Sequence, residues 1–341
     1  MANALISTSL ITRFAVKEFL NNLQLASKVD RQLDSQFRKV GASIDVRRPV
    51  MFTSQDGAAL GAATAIEEVA ATVTLDKRKH VHFAITSQDL TLKIEDFNSR
   101  YIMPAMVELA QQVESDIADV YKSIGNFVGT PGTAPSTFLE VGAAAKVLTK
   151  LGVPVDVRWN AFYDEDASLA LADGLKSVFP TEIARKAIEE AAIGRYSKFM
   201  LYENQSLKLH TVGVATGTPL VNGASQETTY AASGGSNSQT IVTDGWTNST
   251  TGILKAGDVV TFAGVNSVNR RTRVNTGAIT LAMAPLDIPT EGASASRESF
   301  DNISIRTVTQ YAIGTDTTTY RFDILYGVKA QNSDFAVRTT S

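Results

Sequence analysis

Two histidines are the residues most able to bind a metal ion, because imidazole nitrogens are frequent zinc ligands. His80 and His82 lie two residues apart in a segment where apolar and polar residues alternate, which places both side chains on one face of a predicted strand. Together they would supply half of a metal site. The same alternation puts them beside Arg78 on the polar face, and the sequence offers no third ligand at a matching spacing. We therefore interpret both histidines as members of a solvated strand face.

A run of acidic residues, Asp164, Glu165 and Asp166, carries enough carboxylates to attract a hard cation such as calcium. The run lacks the glycine and the alternating ligand positions of a calcium-binding loop. It comes directly before a stretch with helical character, where negative charge is stabilised by the positive end of the helix dipole. The pattern favours the start of a helix over a metal site.

No other pattern typical of catalysis is present in the sequence. There is no GxSxG nucleophile turn, no glycine-rich phosphate loop ending in Gly-Lys and no HExxH zinc motif. The glycines of GVATG at residues 213–217 lack the spacing of a dinucleotide-binding turn. The chain has no cysteine, which excludes disulfides, thiolate catalysis and cysteine zinc sites. We predict no catalytic, cofactor-binding or metal-binding residue, and hence no enzyme.

The composition is that of a globular protein of about two domains, with 341 residues, 44% hydrophobic and 20% charged. The net charge of -3 excludes the strongly basic balance of a sequence-independent nucleic-acid binder. Residues 1–48 carry eight basic and four acidic side chains, so the rest of the chain has a net charge of -7. No apolar run reaches the roughly 18 residues of a membrane span, and no secretory signal is readable, so we expect synthesis in a cytoplasm and no membrane contact.

The first 85 residues predict a helix followed by a long hairpin. Apolar side chains at loosely helical spacing indicate a helix within an N-terminal arm: Phe14, Phe19, Leu20, Leu23 and Leu25. Residues 44–52 have an extended pattern, and residues 69–85 alternate strictly, so we expect the two segments to pair. The small residues between them, 53–68, predict a mobile tip. Such a hairpin must lean on its own body or on a neighbouring subunit, because isolated hairpins are marginally stable.

Four helices are predicted between residues 102 and 192. The longest carries one apolar stripe with Pro104 near its beginning: Ile102, Met106, Leu109, Val113, Ile117, Val120 and Ile124. Thr137 and Glu140 form a capping-box pattern before a second helix that Gly152 ends. Two further helices are expected at about 166–179 and 181–192.

The C-terminal half predicts strands. Residues 204–300 are rich in Gly, Ser, Thr and Asn and form a candidate β-rich insertion between strands at 199–202 and 303–308. A turn is expected at Ala256-Gly257-Asp258, and the interior of a small barrel is expected from Val259, Val260, Phe262, Val265, Ile279 and Leu281. Near the end, alternation of Tyr320, Phe322, Ile324, Tyr326 and Val328 predicts a closing strand.

Two functions of different classes agree with these patterns. One is a structural protein that assembles with copies of itself, since extended parts without their own core are stabilised by neighbours. The alternative is a two-domain enzyme or carbohydrate-binding protein whose site forms no motif. The extended arm, the long hairpin and the missing motifs favour assembly.

Three separated stretches resemble one family. SQDLTLKIEDFNSRYIMPA at 87–105 is similar to the entry of the spine helix in coat proteins of P-22-like short-tailed phages. LKAGDVVTFAGVNSVN at 254–269 resembles the Gly-Asp strand motif of that family's insertion domain, and RFDILYGVKAQNSDFAVR at 321–338 resembles its terminal Tyr-Gly-Val strand. The order of parts also resembles the HK-97-like capsid fold.

The resemblance implies an α+β, HK-97-like fold with six regions: an N-terminal arm (1–45), an E-loop hairpin (46–85), a peripheral domain with the spine helix (86–135), an axial domain (136–204), a β-rich insertion domain (205–299) and return strands (300–341). It implies a major capsid protein that self-assembles as hexamers and pentamers into an icosahedral shell around double-stranded DNA. A scaffolding protein and a portal are implied partners, whereas a decoration protein stays open. No cofactor is implied, and the expected location is the virion after synthesis in the host bacterial cytoplasm.

Overall fold

The computed structural model describes residues 7–31, 43–47, 70–86, 97–153, 159–175, 195–222, 241–247, 251–260, 278–290 and 293–340. Its α-helices are α1 (Thr8–Asn21), α2 (Met103–Ala118), α3 (Phe138–Lys150) and α4 (Glu165–Leu175). A π-helical turn, Asn98–Ile102, precedes α2, and 3-10 turns cover Asp119–Ser123 and Ser333–Phe335. None of the helices in these ranges is long and apolar enough to cross a membrane.

The strands are numbered in chain order. They are β1 (Ser43–Arg47), β2 (Ala70–Thr74), β3 (Lys77–Thr86), β4 (Phe127–Gly129), β5 (Trp159–Tyr163), β6 (Arg195–Tyr196), β7 (Phe199–Glu203), β8 (Gly217–Val221), β9 (Thr243–Trp246), β10 (Ile279–Met283), β11 (Ser294–Phe300), β12 (Ile303–Ala312), β13 (Thr317–Ala330) and β14 (Arg338–Thr340). The mixture of helices and largely antiparallel strands confirms the predicted α+β class.

A five-stranded antiparallel sheet is the centre of the larger core. Its longest strand, β13, pairs with β3, β10 and β12, and β12 pairs with β11. The alternation predicted for this strand is confirmed, because the aromatic and aliphatic side chains of one face are buried: Tyr320, Phe322, Ile324 and Tyr326. Val328 is partly buried beside them.

Two helices cover that apolar face of the sheet. The stripe of α2 buries Met106, Leu109 and Val113, which confirms the predicted long helix, and Pro104 lies in its first turn, where a missing N–H costs least. Helix α1 adds Phe19 to the same core. The helix predicted within the N-terminal arm therefore packs against the main core of its own subunit.

The predicted long hairpin is confirmed at one end and wrong at the other. Strands β1 and β2 pair antiparallel, with Ile44 opposite Val73. Strand β3, expected to continue this hairpin, instead pairs with β13 along its whole length, because its buried apolar side chains complete the main core. The predicted tip, 53–68, lies outside the described residues.

Gly327 brings the base of the hairpin onto the main sheet. A Cβ atom added there would lie 1.9 Å from the backbone oxygen of Thr74, so only glycine lets β2 approach β13 so closely. Val73 and Ala282 are fully buried at this crossing. The hairpin therefore leans on its own subunit, one of the two supports expected from the sequence.

The predicted barrel interior needs a correction at its C-terminal end. Ile279 and Leu281, assigned to it from the sequence, lie in β10, which pairs with β13, and Leu281 is fully buried in the main core. Strand β11, also within the predicted insertion, pairs with β12. Val260 is 46% exposed and outside any strand, while Phe262 and Val265 lie beyond the described residues.

A second, smaller core lies between α3, α4, β5 and β7. Its buried members include Val141, Leu148, Trp159, Leu171 and Phe199. The capping box of Thr137 and Glu140 is confirmed at the start of α3, and Gly152, with φ of 77°, follows the end of this helix as predicted. Helix α4 begins at Glu165 and is described to Leu175, whereas the helix predicted at 181–192 lies outside the described residues.

Candidate assembly surfaces

His80 and His82 lie on the exposed face of β3, as the alternation predicts. Their rings stack at a centroid distance of 5.6 Å. Among the residues that the structure describes, no group of three His, Asp or Glu side chains is close enough to hold a metal ion. The two rings therefore form part of a surface that also carries Arg78, and this surface is a candidate for contact with a partner.

Lys77 forms an ion pair within its own chain. Its ammonium group lies 3.1 Å from Asp116 of α2 in the same chain. Tyr326 donates a second hydrogen bond to Asp116. Burial opposes ionisation of Asp116, but these hydrogen bonds and the charges of Lys77 and Lys79 hold its pKa below the ordinary value. The ion pair of Lys77 with Asp116 thus links strand β3 to helix α2.

The acidic run at 164–166 has the structural role predicted for it. The backbone N–H of Ala167 donates to Asp164 Oδ1 over 3.1 Å, so Asp164 caps the N-terminus of α4. Glu165 and Asp166 occupy the first turn, where the helix dipole favours negative charge.

A chain of hydrogen bonds anchors the 204–260 segment to the end of α2. The ring nitrogens of His210 lie 2.7 Å from Tyr121 Oη and 2.6 Å from Asp258 Oδ1. Because a carboxylate only accepts, Nε2 of His210 donates to Asp258, and in the neutral ring Nδ1 accepts from the hydroxyl of Tyr121. One end of this chain is the 3-10 turn after α2 and the other is the predicted turn at 256–258.

Asp258 also organises its own turn. Its Oδ2 accepts hydrogen bonds from the backbone N–H groups of Lys255, at 2.8 Å, and Gly213, at 3.1 Å. Burial alone would raise the pKa of Asp258, but these bonds and the one from His210 lower it below the ordinary value. Arg338, near the C-terminus, donates to the carbonyl oxygen of Gly257. Segments distant in sequence therefore meet at this junction.

Glu114 forms a second junction inside the protein. Its side chain is 2% exposed, and its carboxylate accepts from the backbone N–H of Leu25 at 2.8 Å, from that of Ala26 at 2.9 Å and from Asn204 Nδ2 at 2.9 Å. Three donors replace the water that burial removes, so the charge is tolerated in the core. Glu114 holds the segment after α1, helix α2 and the end of β7 together.

Large apolar side chains remain exposed on several separate elements. Strongly exposed examples are Leu139 (77%), Leu169 (66%), Leu209 (84%), Phe300 (67%) and Ile313 (86%). More of them follow in and around the 204–260 segment: Val212, Val214, Leu220, Val221, Val242, Leu254 and Val260. These side chains leave apolar area on several elements of the described chain that is available for contact with other protein.

Neither junction was predicted from the sequence, although Asp258 lies in the turn expected at 256–258. A signal existed for Glu114, because it lies four residues after Ala110 and three before Ile117, on the edge of the buried stripe of α2. For His210 no local signal exists, since its partners, Tyr121 and Asp258, are distant in the sequence.

The comparison with protein families decides the assignment. The sequence model described as "P22 coat protein - gene protein 5" matches residues 1–279, more than half of the chain. The chain belongs to the P22 coat protein family. It is therefore a phage major capsid protein, a structural component of the capsid built from many copies. No curated protein sequence matches this coat protein.

Solved structures show the same fold at low sequence identity. A chain from Mycobacterium phage Che8 is 14% identical, with a TM-score of 0.50 over 94% of the coat protein and 90% of that chain. A chain from the capsid structure of the Cyanophage P-SCSP1u is 11% identical, with a TM-score of 0.52 over 88% and 84% of the two chains. The predicted HK-97-like fold is confirmed.

Proposed function

We propose that the coat protein assembles as hexamers and pentamers into a closed icosahedral shell that encloses double-stranded phage DNA. Membership of the P22 coat protein family carries this proposal. The exposed apolar residues support it, because they lie on different elements, as repeated heterologous contacts between copies require. Each such contact is weak alone, and closure of the shell makes the set collectively strong.

We infer a scaffolding protein and a portal as assembly partners, and synthesis in the host bacterial cytoplasm, from family membership. A decoration protein is a further partner to test. DNA would be contacted without sequence preference, mainly through phosphates.

We propose a division of the chain that follows the predicted regions, with two changes. The arm (1–45), the peripheral domain (86–135) and the axial domain (136–204) keep their predicted limits, and the return strands (300–341) are joined by β3, β10 and β11, which pair with them. The E-loop is narrowed from 46–85 to the chain between β1 and β2, because β3 belongs to the main sheet. The insertion is shortened from 205–299 to end before β10, for the same reason.

We propose that the coat protein has no catalytic activity, in line with its structural family. Its polar junctions support this, because Tyr121, His210 and Asp258 satisfy one another and hold a turn in place. A broad hydrolase and transferase screen should detect no turnover. Activity that follows the purified protein and disappears in His210→Ala would contradict the proposal.

Electron cryo-microscopy of particles from co-expression with the phage's scaffolding gene tests the assembly proposal. The expected reconstruction contains pentamers at five-fold vertices, hexamers between them and the coat protein fold in each position. A reconstruction with one kind of ring only, or an open filament, would contradict it.

A further inference from the structure

The solvent-facing side of the five-stranded sheet collects basic residues from four strands. In the register of the sheet, His80 lies opposite Asp323, and Arg306 lies opposite Asp323 on the other side. Residues directly opposite each other point to the same face of a sheet. The same register places further basic residues on this face. We call the whole set, which surrounds Asp323, the arginine face: Arg78, His80, His82, Arg297, Arg306 and Arg321.

Asp323 lies at the centre of the arginine face, where more guanidinium groups surround it than its single negative charge can neutralise. It is fully buried, and its carboxylate accepts from Arg306 Nη2 at 2.7 Å and from Arg321 Nε at 2.9 Å. The guanidinium group of Arg78 lies 3.7 Å from the same carboxylate. One carboxylate therefore faces three guanidinium groups, so positive charge remains. Arg78 and Arg321 point this charge outward, with side chains 49% and 40% exposed.

The other charged groups around the sheet do not neutralise this surplus. Arg297 donates to the backbone carbonyl of Leu286, and Arg306 to that of Asp287, and neither acceptor carries a full charge. On the opposite side, Glu298 pairs with Arg13. Lys77 pairs there with Asp116. The charge of Asp76, which precedes β3, acts on Tyr326 of the same opposite side by raising the pKa of that tyrosine.

We propose that the arginine face binds carboxylates of a second copy of the coat protein. The proposal rests on assembly from many copies, which supplies a partner at high local concentration. Charge complementarity favours a copy, because residues 49–341 of every copy have a net charge of -7 and so offer many carboxylates to a basic surface. Guanidinium groups suit planar carboxylates, which they bind through two parallel hydrogen bonds.

Charge reversal at the edge of the arginine face tests the proposal without touching Asp323. Arg297 is exposed and does not bond to Asp323, so Arg297→Glu should keep the fold while it repels the partner's carboxylates. Lys146→Glu, on the exposed side of α3, makes the same charge change elsewhere and is the control. The yield of shells should fall by about tenfold in Arg297→Glu, which corresponds to about 1.4 kcal/mol, and should stay within twofold of wild type in the control.

The double variants Arg78→Gln/Arg321→Gln and Arg78→Lys/Arg321→Lys separate charge from folding. Thermal unfolding of the unassembled subunit shows whether each variant is folded. The lysine pair keeps the charge and should assemble, whereas the glutamine pair should not. Equal assembly of folded glutamine and lysine pairs would overturn the proposal.

The lysine pair also identifies the partner. A water-soluble carbodiimide activates carboxylates and joins them to lysine amines that touch them, through an amide bond. Shells are assembled from equal amounts of ordinary and ¹⁵N-labelled protein and then cross-linked. Among the cross-linked peptides that contain the lysine introduced at position 78 or 321, some should join one heavy and one light peptide, because the two come from different copies. The mass spectrum then identifies the acidic residue that was joined to the lysine. Only unmixed pairs would overturn the proposal. Wild-type protein that forms no shells would instead contradict the assembly function itself.

Nucleic acid is the remaining outcome. If Arg78→Gln/Arg321→Gln assembles normally but loses affinity for a short DNA duplex, the arginine face binds DNA and the proposal is wrong. Unchanged DNA affinity together with lost assembly supports a second copy as the partner.

Discussion

Tyr326, in the strand at the centre of the sheet, donates its phenolic hydrogen to Asp116 of α2 over 2.6 Å. The ring of Tyr326 is fully buried, and the carboxylate of Asp116 also forms an ion pair with Lys77. This pair joins the sheet to the long helix. It is therefore sensitive to substitution and to pH.

Tyr326→Phe should lower the free energy of unfolding by about 1.5–3 kcal/mol, the usual value of a hydrogen bond to a charged group. Tyr311, 51% exposed, donates a similar bond to Asp316, so Tyr311→Phe is the matched control and should cost under about 0.5 kcal/mol. Urea unfolding of unassembled subunits measures both. Equal losses would show that the buried Tyr326 bond contributes no more to stability than the exposed Tyr311 bond.

The same pair predicts how stability depends on pH. The pKa of Asp116 is lowered in the folded state, so its contribution is complete above the unfolded value of about 3.9 and is lost as the pH falls through the folded value. Burial, and then Asp116, raises the pKa of Tyr326, so stability should also fall as the pH rises above about 10. In Tyr326→Phe the acid loss should be smaller and the contribution of this tyrosine to the alkaline loss absent. A curve parallel to wild type at all pH values would contradict this.

Glu114→Gln should destabilise the subunit by about 1–3 kcal/mol, because the amide cannot accept from all three donors and leaves at least one buried N–H unpaired. Glu108 lies on the exposed side of the same helix, and Glu108→Gln should change stability by less than about 0.5 kcal/mol. Urea unfolding compares the two variants. A Glu114→Gln variant as stable as Glu108→Gln would show that the junction does not depend on the charge.

Leu281→Ala tests where the insertion ends. Because this side chain is fully buried in the main core, its truncation should cost about 2–5 kcal/mol in global unfolding. Leu220, 68% exposed, gives the control Leu220→Ala, with an expected change below about 0.5 kcal/mol. If hydrogen exchange in Leu281→Ala became faster only in residues 205–277, β10 would belong to the insertion and the proposed boundary would be wrong.

Gly327→Ala should disturb the base of the hairpin. The added methyl group meets the backbone oxygen of Thr74, so β2 must shift, at a cost of about 1–3 kcal/mol. Gly125 has no atom within 4 Å of its added Cβ, which makes Gly125→Ala the control. Hydrogen exchange in β1 and β2 should rise in the first variant alone. Unchanged exchange there would mean that the close approach is not needed.

Local patterns predicted single elements well. The alternation in β13, the stripe of α2 and the capping box at Thr137 each depend on neighbours within a few residues, and each is confirmed. Pairing between distant strands was not predictable in this way. Alternation in β3 shows which side chains are buried, but not that β13, instead of β1, is the partner.

Chemistry at the candidate surfaces was less predictable. The exposed histidines of β3 were placed on the correct face. Asp323, in contrast, stands on the polar side of an alternating strand, yet it is fully buried, because arginines from three strands cover it. Such burial depends on the register between strands, which no single segment contains.

Negative-stain electron microscopy of the purified protein, concentrated from the dispersed subunit, tests the central claim most directly. The coat-protein assignment predicts round shells, tubes or sheets built from repeating capsomers above a threshold concentration. A uniform population of small monomers at every concentration, with and without scaffolding protein, would contradict it.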